Sequence, residues 1–213
     1  PELIVEADTT LAVSGAHFEV TCDDRQVPVG ESFVARRGQR VRFGRLVQGA
    51  RAYLAVAGGI QTPPVLGSRA THLVSHVGGH NGRALAAGDR VPILDGRTDR
   101  PFRRSSGGML PSKGRALLRV MPGPQANWFE ADALKTIGGV SFRISPQSNR
   151  MGYRLQGPPL VRRDHTELIS EPLGIGAIQV PNAGEPILLM ADRQTAGGYP
   201  KICTLLSDDV DRL

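Results

Sequence analysis

Glycine and proline interrupt this chain so often that long helices are excluded: 26 Gly and 16 Pro fall within 213 residues. Glycine carries the largest entropic cost of any ordinary helix residue, and an internal proline removes a helix hydrogen bond. The pieces between them suit short strands joined by turns. Period-two alternation or short apolar runs predict strands over 11–13, 18–21, 32–35, 40–43, 52–57 and 117–120, and later over 140–144, 175–180, 186–190 and 202–205. The best helical stretch is 124–134, where Trp128, Phe129 and Ala133 would share a face after the Pro122-Gly123-Pro124 turn. Many short strands with few helices predict a mainly β protein of barrel or sandwich type.

Two stretches resemble each other. In the first, Gly30 and Gly38 bracket a short strand and an alternating strand follows. In the second, Gly176 and Gly184 do the same before Ile187-Leu188-Leu189. Each then passes a glycine turn, at Gly49 or at Gly197-Gly198, into another apolar strand. Two related β units in tandem would account for the pattern. The seam falls in residues 95–114, rich in Arg, Ser and Gly and poor in apolar side chains. The expected division is a first β unit over 1–100, a linker or mobile loop over 101–114, and a second β unit over 115–213.

The formal charge of +6 comes almost entirely from arginine, scattered in small groups such as Arg36-Arg37, Arg103-Arg104 and Arg162-Arg163. Aromatic residues make up only 5%, which leaves little on which to stack bases. Solvated strand faces therefore explain the charge, and no nucleic-acid partner is expected. Cys22 and Cys203 are too few for a disulfide framework, so a reducing cytoplasm is the expected compartment. No apolar run reaches the length of about eighteen residues that a membrane span needs. Pro1 stands where a start Met is expected, and the chain reads as an ordered fragment of a longer protein.

Among familiar catalytic motifs, the sequence carries no GxxxxGK[ST] or GxGxxG phosphate cradle and no GxSxG serine elbow. His72, His76 and His80 recur every four residues, but Gly78-Gly79 would break a helix there and no HExxH accompanies them; no metal site is expected. Three segments do concentrate polar groups beside glycine. Ser145–Leu155 holds Arg150, suited to clamping a carboxylate or phosphate, together with Tyr153. Ser170-Glu171 precedes the strand in which Gln179 interrupts apolar neighbours, and a buried carboxamide needs partners. Asp192, Arg193, Gln194, Thr195, Tyr199 and Lys201 crowd a loop between strands, where function tends to reside.

These blocks also carry a resemblance. Arg51-Ala52-Tyr53-Leu54-Ala55-Val56-Ala57-Gly58-Gly59-Ile60, Val65-Leu66-Gly67-Ser68-Arg69, Pro122-Gly123-Pro124-Gln125, Asn149-Arg150-Met151-Gly152-Tyr153-Arg154-Leu155, Gly176-Ala177-Ile178-Gln179-Val180-Pro181 and Ala191-Asp192-Arg193-Gln194-Thr195 with Gly197-Gly198-Tyr199-Pro200 are similar to the KipA family. That family is also known as the 5-oxoprolinase C-subunit, allophanate hydrolase subunit 2 or biotin-dependent carboxyltransferase. The resemblance runs from about Ala12 to the end of the chain. It implies tandem cyclophilin-like β-barrel units with few short helices. It also implies two protein partners, a homologous KipI-like B-subunit, and the A-subunit of 5-oxoprolinase. Family members carry a further N-terminal segment. Asn149 stands where the family leads one to expect Asp, Ala196 where it has Thr, and His80 where an aromatic is frequent.

The implied activity is ATP-dependent hydrolysis of 5-oxo-L-proline to L-glutamate. A lactam is a poor electrophile; phosphorylation of its oxygen by ATP would let water attack the carbon, and the protein must bind a carboxylate, neutralise phosphate and supply a base. On this reading Arg150 and Arg193 contact anions, and Gln179 and Tyr153 orient the small amide substrate. Asp192 is the base or Mg²⁺ ligand with Glu171 in reserve, and Gln194, Tyr199 and Lys201 line the same mouth. Two alternatives remain open. One is the carboxyltransferase domain of a biotin-dependent urea carboxylase, with biotin as cofactor. The other is a non-catalytic regulator that binds an inhibitor of a histidine kinase.

Overall fold

The computed structural model describes residues 1–96, 115–210 and 212 of the chain. The chain divides into two compact units, Pro1–Arg115 and Ala116–Leu213. The expected linker over 101–114 lies outside the described residues.

The first unit is organised by two long strands. Its elements are β1 (Glu2–Ile4), β2 (Thr9–Cys22), β3 (Arg25–Val27), β4 (Ser32–Ala35) and β5 (Arg40–Val56). β5 pairs antiparallel with β2 from Leu11↔Val56 to Cys22↔Val41, and the register shifts between Gly15 and Val20. Such bulges bend a ribbon and sharpen its twist. The other edge of β2 is shared by β4, from Thr9↔Ala35 to Ala12↔Ser32, and β3, from Val20↔Val27 to Cys22↔Arg25. Leu11, Val13, Val20, Cys22, Val27, Phe33, Ala35 and Val41 close into one core. Phe18 meets Phe43 edge-to-face at 6.2 Å.

Several arginines of this unit sit over acids. Arg40 and Arg42 hold Glu2, Arg36 holds Asp8, and Arg45 holds Glu19. These pairs are exposed, and solvent screening leaves each a minor contributor to stability. The three spaced histidines occupy irregular backbone: His72 bridges Val77, and His76 has φ +53°. His80 Nε2 lies 3.4 Å from Asp89, whose carboxylate is held by both Arg83 terminal nitrogens and the Ala86 amide. Those hydrogen bonds from Arg83 hold Asp89 far below the usual carboxylate range. Among the described residues no group of three or more His, Cys, Asp and Glu converges.

The second unit contains β6 (Val120–Pro122), a 3₁₀ turn (Ala126–Trp128), α1 (Ala133–Gly139), β7 (Arg143–Ile144), β8 (Gly152–Gln156) and β9 (Glu171–Pro172). These are followed by β10 (Ala177–Gln179), β11 (Ile187–Leu189), β12 (Ala196–Gly197), β13 (Lys201–Leu205) and α2 (Ser207–Val210). Six strands form one antiparallel sheet in the order β6-β13-β10-β11-β8-β7, and β12 pairs with β9. Phe129, Leu160, Ile178, Val180, Leu188, Ile202, Cys203 and Leu205 pack against one face. Burial pushes the Cys203 thiol up to about 12.

The helix expected over 124–134 does not form. The chain makes a 3₁₀ turn, extends at Phe129 (φ −105°, ψ 162°), and becomes α-helical only at Ala133. Its backbone is committed elsewhere: Phe129 bridges Arg162, Glu130 N donates to Val161 O and Arg163 N to Trp128 O. Phe129 thereby reaches the core at 2% exposure. The chain is mainly β with few short helices, as its punctuation predicts. All four glycines of the repeated pattern adopt φ between +79° and +90°, and each pair brackets a strand. The following strands pair differently, since β5 joins β1 and β2 whereas β11 joins β10 and β8. Among the described residues no helix is long and apolar enough to cross a membrane.

The C-terminal turn is tied down by one carboxylate. Asp209 is fully buried and accepts from Arg119 N, Nε and Nη2 at 2.6, 3.1 and 2.9 Å, with Arg212 at 3.6 Å. The Arg119 side-chain hydrogen bonds chiefly lower its pKa to about 2. A depressed carboxylate stabilises the fold above its unfolded pKa, and that contribution disappears as pH falls through the folded value. Asp209→Asn is therefore expected to lower the melting temperature by several degrees at pH 7. The difference from the native chain should shrink between pH 4 and about 2 in thermal unfolding followed by circular dichroism.

Candidate functional site

The polar segments of the second unit are brought together by two pieces of backbone. β9 lies antiparallel to β12, with Glu171 opposite Gly197 and Pro172 opposite Ala196, and Leu173 N donates to Thr195 O. The loop after β11 is anchored to the turn before β8: Met190 N donates to Met151 O, and Asp192 N to Arg150 O. Residues 149–154 thus run beside residues 187–192, and the rest of the loop leads on to β12.

β13 adds the third piece through an irregularity. Ala177 opposes Thr204 and Ile178 opposes Cys203, but Gln179 opposes Lys201, because the register slips by one residue. A bulge re-aims the side chains around it. Here it sets the Lys201 position across from Gln179.

Lys201 is the centre of the cluster. Its side chain is only 12% exposed, and its Nζ lies 3.0 Å from Glu171 Oε1 and donates to Pro172 O at 3.2 Å. Glu171 Oε1 also accepts from Gln125 Nε2 at 2.9 Å. Gln125, 7% exposed, completes the knot by accepting from Lys201 N at 3.1 Å. One end of its carboxamide bonds the carboxylate of the ion pair and the other the main chain of its lysine. A buried ammonium and carboxylate need such additional bonds to offset desolvation.

A second group of amides lies beside it. Gln179, 2% exposed, donates from Nε2 to Tyr199 O at 3.1 Å. A methyl group placed on Gly197 would sit 2.6 Å from Gln194 Nε2 and 3.1 Å from Gln179 Nε2. The bare glycine Cα is what lets the two carboxamides approach. Arg193 Nε donates to Leu173 O at 3.0 Å.

At the rim, Arg150 grips Asp192 with two nitrogens, Nε to Oδ2 at 2.7 Å and Nη2 to Oδ1 at 3.1 Å. Tyr199 is 46% exposed, whereas Tyr153 is 8% exposed within the core cluster. Asn149 Oδ1 accepts from Met151 N at 2.8 Å, a turn bond that Asp would make equally well. Every candidate residue therefore lies in the second unit. Glu171, Lys201, Gln179, Gln194 and Arg193 line the β9–β12 seam, while Arg150 and Asp192 form a separate exposed pair. Gln125 was not singled out by its chemistry in the sequence; its only signal was membership of the Pro122-Gly123-Pro124-Gln125 block.

The arrangement is a mainly β domain whose polar groups are carboxamides and paired ions rather than a nucleophile with its base. The family model for the carboxyltransferase domain, subdomain A and B, matches residues 1–213. The chain belongs to that family. It is 42% identical over 98% of its length to the 5-oxoprolinase C-subunit of Escherichia coli K12, and 34% identical over 98% to that of Haemophilus influenzae. It spans 66% of the length of each of these relatives. It resembles the crystal structure of TTHA0988 with a TM-score of 0.82 and 35% identity, covering 99% of this chain and 40% of that one. It resembles the urea amidolyase of K. lactis with a TM-score of 0.83 and 25% identity, covering 100% of this chain and 14% of that one.

The exposed Arg150–Asp192 pair should matter little to folding. Arg150→Ala and Asp192→Ala are each expected to cost about 1 kcal/mol or less in urea denaturation. Any larger loss of activity would then report on the site itself.

Proposed function

We propose that this chain serves as the C-subunit of an ATP-dependent 5-oxoprolinase, which opens 5-oxo-L-proline to L-glutamate together with an A-subunit, and with a homologous B-subunit. The observation that carries the reading is the 42% identity to a 5-oxoprolinase C-subunit over nearly the whole chain. The polar seam of the second unit supports it chemically. A lactam offers one N–H and one C=O on the same edge, and side-chain carboxamides and an ammonium–carboxylate pair are complementary to that edge.

The residues present suit amide recognition better than nucleotide binding. Arg193 bonds Leu173 O through Nε, and Arg150 bonds Asp192 through Nε and Nη2, so a carboxylate would be met by their other nitrogens. Among the described residues Asp192 belongs to no group of three or more His, Cys, Asp and Glu that could hold a metal ion. ATP is the co-substrate of the complex under this reading, and this chain's share is to hold the lactam. Gln179 and Gln194 orient its amide, Arg193 and Arg150 meet its carboxylate, and Asp192 or Glu171 takes up a proton. Tyr153 is buried in the core of the second unit, which gives it a supporting role.

A second reading has its own support. Urea amidolyase of Lachancea kluyveri is 28% identical over 93% of this chain, and the K. lactis protein shares the fold. Urea also presents an N–H/C=O edge. Carboxyl transfer from carboxybiotin to urea is the activity this alternative would require.

The test is glutamate release from 5-oxo-L-proline and ATP by the reconstituted complex. Omitting this chain is expected to abolish release. Asp192→Ala and Arg193→Ala are each expected to slow it at least about tenfold, about 1.4 kcal/mol of barrier. Undiminished glutamate without the chain would end the oxoprolinase reading. Both variants remaining within about twofold of native would remove these residues from the site.

A further inference from the structure

The knot around Lys201 has an asymmetry in how its bonding capacity is used. Glu171 Oε1 accepts from Gln125 Nε2 at 2.9 Å and lies 3.0 Å from Lys201 Nζ in an ion pair. Oε2 of the same carboxylate has no partner among the described residues, and the Glu171 side chain is 29% exposed. Lys201 Nζ has three hydrogens, and two acceptors lie within bonding distance, Glu171 Oε1 and Pro172 O. One acceptor atom and one donor hydrogen are thus left over on neighbouring, partly exposed groups. Free side chains would rotate to satisfy each other; here they are prevented from doing so.

Gln125 is what prevents it. Its Oε1 is fixed by Lys201 N and its Nε2 by Glu171 Oε1. Since the carboxamide is 7% exposed, it cannot exchange either bond for water without cost. Main-chain pairing fixes the other sides. Gln179↔Lys201 and Glu171↔Gly197 set where the two charged side chains leave the backbone. The carboxylate is therefore pinned by one oxygen and presents the other.

We propose that Gln125 is a positioning residue, and that the Glu171–Lys201 pair it holds reads the cis N–H/C=O edge of a cyclic amide or ureido group. Glu171 Oε2 accepts the N–H, and the remaining Lys201 hydrogen is donated to the carbonyl oxygen. The inference rests on the amide-recognising role proposed above and assigns it to a definite pair. Gln125 touches no substrate; it acts through the atoms it orients.

Two measurements on the full chain and its complex test this. In a ¹⁵N–¹H spectrum the Gln125 side-chain amide is assigned by its loss in Gln125→Glu. Titration with 2-pyrrolidinone, the bare lactam, is expected to move that signal to saturation, and Glu171→Gln is expected to weaken the lactam at least tenfold. Gln125→Glu keeps the shape and the acceptor for Lys201 N but sets a negative charge against Glu171. In the reconstituted complex it is expected to raise KM for 5-oxo-L-proline at least tenfold with kcat changed less than threefold. It should also move the acid limb of the pH profile upward, which a loss of folding stability alone would not do.

A Gln125 signal indifferent to 2-pyrrolidinone overturns the proposal, as does a Gln125→Glu complex whose kcat/KM and pH profile match the native ones within twofold. A saturating lactam response in a complex that releases no glutamate keeps this site and overturns the oxoprolinase activity. A stronger response to urea or free biotin keeps the site and moves its substrate to the ureido class.

Discussion

An ammonium group with only 12% of its side chain exposed must have an anionic partner, and at Lys201 that partner is Glu171. Much of the second unit's polar architecture follows from meeting this requirement. The carboxylate comes from β9, which has two residues and needs β12 to hold it. The lysine comes from β13, whose one-residue slip against β10 sets it opposite Gln179. The remaining capacity is taken up by Gln125, from the turn after β6, and by the Pro172 carbonyl. Three segments distant in sequence are thereby fixed at one point.

The two units solve the burial problem in different ways. The first wraps a bent two-stranded ribbon, β2 with β5, around alternating Val, Leu and Phe side chains, and leaves several arginines outside over acids. The second packs one face of a six-stranded sheet against Phe129, Leu160 and their neighbours, and spends its other polar residues on the β9–β12 seam. That difference explains why every candidate residue falls in the second unit. Several of the arginines that give the chain its positive charge are paired with acids at the surface.

Much of the fold was legible along the chain. The 32–35 strand coincides with β4, and the 202–205 strand with all but the first residue of β13. The strands expected at 11–13 and 18–21 fuse into β2, since bulges let one strand pass through Gly15 without ending. The helix expected at 124–134 failed because long-range pairing of Phe129 with Arg162 outweighed a local apolar spacing. At the site, Glu171, Gln179, Arg193, Gln194 and Lys201 were visible as polar residues among glycines and strands. Tyr153 and Tyr199 were indistinguishable in sequence and ended in opposite environments.

By itself the sequence determined where the chain must turn and which residues alternate inward. Gly30, Gly38, Gly176 and Gly184 all take the left-handed backbone that marks their turns. These are local properties, written within a few residues of one another. The tertiary structure alone decided that Gln125 bonds Glu171, 46 positions away, and Lys201, 76 positions away. Which polar group faces which depends on strand register across the sheet, and a one-residue slip changes every partner beyond it. No local pattern encodes that slip.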